Sequence, residues 1–166
     1  MAECGYAGLR IPLVAERVGK TQGAVYGRFV DKQALALAAV ESIRDQVFFP
    51  RMAKTVDLSD PPLARLATVS ATTAAIASEH PAGQRMMARL ATELAGQDTP
   101  VALAVRGLFE QFAAAIRLLL EEAAERGDLG DVLGDPADLD SVACALLGLQ
   151  IGFATMANLF GERTSY

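Results

Sequence analysis

The side chains best suited to specific chemistry cluster near the start of the chain, in Thr21-Gln22-Gly23-Ala24-Val25-Tyr26-Gly27-Arg28. A short helix over this stretch exposes Gln22, Ala24, Gly27 and Arg28, a mixture of small and hydrogen-bonding groups. A glutamine carboxamide pairs bidentately with adenine, and small neighbours let a helix sit deep in a major groove. This chemistry recognises rather than makes or breaks bonds. Elsewhere the chain holds one histidine, His80, placed before Pro81 at a helix start, and two cysteines, Cys4 and Cys144, among small or apolar residues. No HxxxH, CxxC or paired-carboxylate spacing is present, so there is no metal site or hydrolytic triad to argue for. The chain is expected to be neither an enzyme nor a cofactor carrier.

The elements that must position those side chains are helices. Apolar residues recur at helical spacing, glycine and proline punctuate them, and no useful segment alternates with period two. The fold class is therefore all-α: an N-terminal helix-turn-helix over residues 1–31, then a helical body over 32–166 for ligand binding and dimerisation. A first helix runs from Ile11 to Val18 and stops at Gly19. Thr21 caps a second to Phe29, and Asp31 caps a third from Lys32 to about Phe49, ended by Pro50. Val14, Ala15 and Val18 face inward from the first, Val25 and Phe29 from the second. Further helices open at Pro62, Pro81, Val101 and Pro136, the last reaching Phe160. Along the long helix from Val101, Arg106–Glu110 and Arg117–Glu121 are spaced to pair across a turn.

The ordered set Gly5-Tyr6, Val14-Ala15, Gly19, Thr21 to Tyr26, Phe29, Lys32 and Leu35 resembles the tetracycline-repressor (TetR) family of bacterial regulators, without a gap. Glu125-Arg126-Gly127-Asp128-Leu129 extends a weaker likeness into the body. The two isolated thiols read as reduced and the chain as cytoplasmic, and the resemblance implies a homodimer whose second helices enter successive major grooves of a near-palindromic double-stranded operator. It implies that Gln22, Ala24 and Gly27, with Gly23 beside them, face base edges. Thr21, Tyr26, Arg28 and Lys32 are then placed for phosphates. Three departures stand out. Lys20 replaces an apolar turn residue. Leu9-Arg10 replaces a small capping hydroxyl, so that Arg10 is free to reach a phosphate. Only Met1 to Cys4 stands where the family has a further helix, so the head is expected to be incomplete at its start.

The body must supply the rest. Of nine Met and Phe or Leu candidates at helical spacing, Met86, Leu90 and Phe112 are the chosen pocket residues, for a small, mostly apolar ligand. The dimer face is placed on Phe109, Ile116, Leu120, Leu146, Gly148, Leu149, Gly152 and Phe153, with Ala143, Ala145 and Ala154 allowing close approach. Charge is consistent with a head that touches DNA: residues 1–35 hold five basic and three acidic groups, whereas the whole chain carries −5. Val142–Phe160 is apolar enough to weigh as a membrane span, but no Lys or Arg cluster flanks it, and burial against a partner subunit explains it better. The alternative reading is a dimeric helical ligand-binding or scaffold protein without DNA binding.

Overall fold

The computed structural model describes residues 1–130 and 138–160. It contains eight α-helices among the described residues: α1 (Ile11–Arg17), α2 (Gln22–Tyr26), α3 (Lys32–Ile43), α4 (Phe49–Thr55), α5 (Pro62–Glu79), α6 (Pro81–Glu93), α7 (Pro100–Glu125) and α8 (Leu139–Phe160). The helical start expected at Asp135-Pro136 lies outside the described residues, as does the side chain of Ala154. No described residue belongs to a strand, so the all-α reading holds.

Local chemistry sets the ends of these helices. Thr21 accepts the Ala24 N–H at 3.1 Å and Asp31 accepts the Ala34 N–H at 2.8 Å, which satisfies donors that a helix start leaves open. Arg10 precedes α1 without any side-chain cap, the loss read from the sequence. Between α1 and α2, Gly19 takes φ +64, while the Gly19 and Lys20 N–H groups donate to Glu16 O and Ala15 O. This Schellman closure needs a left-handed residue, which glycine adopts without strain. The same arrangement ends α7, where Gly127 has φ +76 and Asp128 N–H donates to Ala123 O. Replacing Asp31 by Ala should cost about 1 kcal/mol of stability. Urea denaturation checks this, and an unchanged midpoint would mean that the cap is idle.

Two helix expectations are corrected. The second helix is shorter than Thr21–Phe29, because Gly27 closes it. The third is not continuous to Phe49: α-geometry stops at Ile43, and Arg44–Phe48 form a π-helical turn. Pro50 then ends nothing. It sits in the first turn of α4, where no N–H is required. Within α7, Arg117 does pair with Glu121 at 2.7 Å and also reaches Asp140 at 2.9 Å, whereas Arg106 pairs with Asp98 at 3.5 Å.

Three apolar clusters hold the fold. Ile11, Ala15 and Val25 make a small head core, with Phe29 and Leu35 against it. Leu9, Ala36, Val40, Met87, Leu90, Val101 and Val105 belong to the main core, where α3, α6 and α7 meet. Ile116, Leu120, Leu139 and Ala143 close the far end between α7 and α8. Leu35 touches both of the first two clusters, so α3 physically joins head and body.

The expectation that Val18 faces inward is corrected, since it is 56% exposed beside the Gly19 turn. Ile116 and Leu120 are corrected as dimer residues: they are 2% and 4% exposed, enclosed by the chain's own α8. Once covered in this way, they have no surface left to offer a second subunit. Among the described residues, no helix is long and apolar enough to cross a membrane.

Candidate nucleic-acid interface and adjoining cavity

Along α2 only Val25 points into the head core. Thr21, Gln22, Gly23, Ala24, Tyr26, Gly27 and Arg28 are all exposed. The buried Val25 therefore fixes the rotation of α2 and turns its polar, small-residue face outward. A Cβ at Gly23 would meet nothing within 4 Å, so that face is open. Thr21 Oγ1 is engaged as an acceptor by Ala24 N–H, which leaves its O–H to donate outward.

Exposed cations flank α2 in the sequence. Arg10 and Lys20 are exposed before and after α1. The Arg28 guanidinium stands 5.8 Å from the Phe29 ring centroid, and Lys32 Nζ stands 4.5 Å from that of Tyr6. Contacts of this kind restrain long side chains without neutralising them. Arg17 differs. It donates to Glu3 at 2.8 Å and holds the Glu3 carboxyl below the usual carboxylate range. All ten sequence-chosen head residues, Arg10, Lys20, Thr21 to Ala24, Tyr26 to Arg28 and Lys32, are exposed, seven of them on α2 and the residues that flank it.

Residues 1–9 fold back over α6. Leu9 enters the main core, and Tyr6 packs beside it. The Glu93 carboxylate at the end of α6 accepts the Tyr6 N–H at 2.8 Å and the Ala7 N–H at 2.5 Å, while Arg89 donates to Glu3 O at 2.9 Å. Gly5 has φ +68, and a Cβ there would collide with Glu93 Oε2. Two successive N–H groups converging on one carboxylate form an anion-binding nest. No local pattern announces this clamp, because its partners are 86 and 87 residues apart.

The opposite side of α6 borders a cavity of about 410 Å³, enclosed by the π turn and by α5, α6, α7 and α8. Phe112 lines it as expected, and its ring lies 5.1 Å from that of Phe48. Met86 is buried in the main core, and its neighbour Met87 takes the lining position. Leu90 instead borders a smaller cavity of about 350 Å³ on the other side of Phe109 and Leu147, which line both. Phe48, Met87 and Phe109 were among the nine candidates but not among the three chosen, and Thr73 and Gln150 were missed, since each reads alone as a core or surface position.

On α8 the picture is mixed for the proposed subunit face. Leu146 packs partly into the far core. Gly148, Leu149, Gly152 and Phe153, together with Ala145 and Met156, line one shallow outward groove. Among the described residues, no group of three or more His, Cys, Asp or Glu could hold a metal ion.

Residues 1–39 match the family described as bacterial regulatory proteins, tetR family. No curated protein matches the chain. One similar solved structure is described as the "molecular basis for control of antibiotic production by a bacterial hormones". It is 28% identical, has a TM-score of 0.68, and is aligned over 98% of this chain and 81% of that one.

Proposed function

We propose, from the premise that the chain belongs by its head to the tetR family of bacterial regulatory proteins, that it is a ligand-responsive repressor acting as a homodimer. A DNA-binding transcriptional regulator is what that family supports. The observation that carries the reading is the outward face of α2, small and hydrogen-bonding, with Arg10, Lys20, Arg28 and Lys32 exposed before and after it in the head. In a two-fold dimer, each α2 would enter a major groove of a near-palindromic operator, with half-sites about 34–36 Å apart. Gln22 would read a base edge, and Thr21, Tyr26, Arg28 and Lys32 would hold phosphates.

Ligand response has a route through the fold. The 410 Å³ cavity borders the π turn that continues α3 and the face of α6 opposite its Glu93 clamp. A ligand that fits best with these two elements displaced would alter the spacing of the paired heads and release the operator. The solved structure concerning a bacterial hormone supports a small-molecule signal for this body.

The test is retention of fragments from a pool of source-organism DNA over a salt series. Selective, salt-sensitive retention of a palindromic fragment is the expected result. Arg28→Ala should lower the magnitude of the log–log salt slope by about 1, and Gln22→Ala should relax base preference at one position per half-site. A folded protein that retains no fragment at low salt would end the DNA reading in favour of a ligand-binding scaffold.

A further inference from the structure

Resting on the reading of the 410 Å³ cavity as the ligand site, we infer that the ligand is electrically neutral and carries a hydroxyl group, which Thr73 and Gln150 select.

Neutrality follows from the wall. Among the described residues, no Lys or Arg lines the cavity, and nearly all the lining is hydrocarbon. Its ionisable members, Glu79 and His80, are exposed at the corner between α5 and α6, where Glu79 is already paired with Arg51 at 2.5 Å. A charge carried inside would lose its hydration without gaining an opposite charge to pair with, which disfavours binding strongly.

The hydroxyl follows from hydrogen-bond accounting on the wall where α5 faces α8. Ser70 Oγ donates to Leu66 O at 3.0 Å and accepts from Gln150 Nε2 at 2.8 Å. Because the Ser70 proton goes to Leu66, Gln150 must present its nitrogen to Ser70, which fixes the orientation of the carboxamide. One turn along α5, Thr73 Oγ1 donates to Val69 O at 2.8 Å. Its only proton is thereby used, and what Thr73 offers the cavity is acceptor capacity. Gln150 keeps one N–H and its carbonyl oxygen. Two acceptors and one donor on an otherwise apolar wall match a group that both donates and accepts. A hydroxyl does both, whereas an ether or ketone oxygen can only accept.

Four probes of similar length separate the possibilities by calorimetric titration of the full chain: octan-1-ol, its isomer heptyl methyl ether, octanoate and octylammonium. Octan-1-ol should bind roughly 3- to 10-fold tighter than the ether, the range of one net neutral hydrogen bond. Both ions should bind more weakly than the ether. Gln150→Met and Thr73→Val, chosen as near-isosteric so that at least one variant folds, should bring the alcohol down to the ether's affinity and leave the ether unchanged. The inference is overturned if octanoate or octylammonium binds as tightly as the alcohol, if ether and alcohol bind alike, if no probe binds, or if a folded variant keeps the full preference. None of these titrations involves DNA. Failure to retain an operator would therefore overturn the regulator reading alone, and failure here would leave operator retention untouched.

Discussion

Replacing Glu93 by Leu should release the first nine residues from α6 and loosen the head, leaving α3 as its link to the body. The carboxylate is the common acceptor for the Tyr6 and Ala7 N–H groups, and charge-assisted bonds of this kind are about twice as strong as neutral ones. The site is only partly buried, so water can replace some of what is lost. A loss of about 1–3 kcal/mol is expected. Glu93→Gln should fall between, because a carboxamide presents one acceptor where two are used and turns an NH₂ toward the second donor. Hydrogen exchange should show the Tyr6 and Ala7 amides losing protection in Glu93→Leu while those of α7 keep theirs. Operator affinity should drop about tenfold or more, since a loosened head must be ordered again on binding. Probe binding in the cavity should survive, because Glu93 does not line it. Unchanged exchange at both amides would show that the clamp contributes nothing in solution.

That clamp also marks the boundary of what the sequence discloses. The turn chemistry was legible because it is local: Thr21, Asp31, Gly19 and Gly127 each act within a few residues, and each stands where expected. The outward face of α2 was legible for the same reason, since burying Val25 leaves its neighbours no other direction. Pro50 misled because a proline suits the first turn of a new segment as well as the end of an old one, and the π turn before it has no sequence signature of its own. Met86 and Met87 are adjacent and equally buried, so only the packing of α6 against its neighbours decides which of them meets the cavity. Ile116 and Leu120 share an apolar stripe whether that stripe is covered by α8 or by a second subunit. Periodicity cannot separate those cases, whereas burial within one chain does.

Charge on the outer face of α8 should break the dimer and with it the operator complex. Leu149, Phe153 and Met156 are 55%, 62% and 43% exposed along this face, with Gly148 and Gly152 between them in the same shallow groove. An apolar groove of this kind, floored by glycines, admits a second helix at close range. In a two-fold interface every substitution appears twice, so Leu149→Asp removes two apolar anchors and buries two carboxylates against hydrocarbon. Sedimentation equilibrium should find the wild-type chain as a dimer and Leu149→Asp as a folded monomer with unchanged helical circular dichroism, because the side chain lies outside the chain's own cores. The operator would then be held by one head at a time. Losing the second, effectively intramolecular contact should weaken binding by on the order of 10²- to 10⁴-fold. A conservative Leu149→Met exchange should keep both the dimer and the affinity. If Leu149→Asp sediments as a dimer and binds the operator normally, the subunit face lies elsewhere, and the exposed apolar groove on α8 requires another occupant.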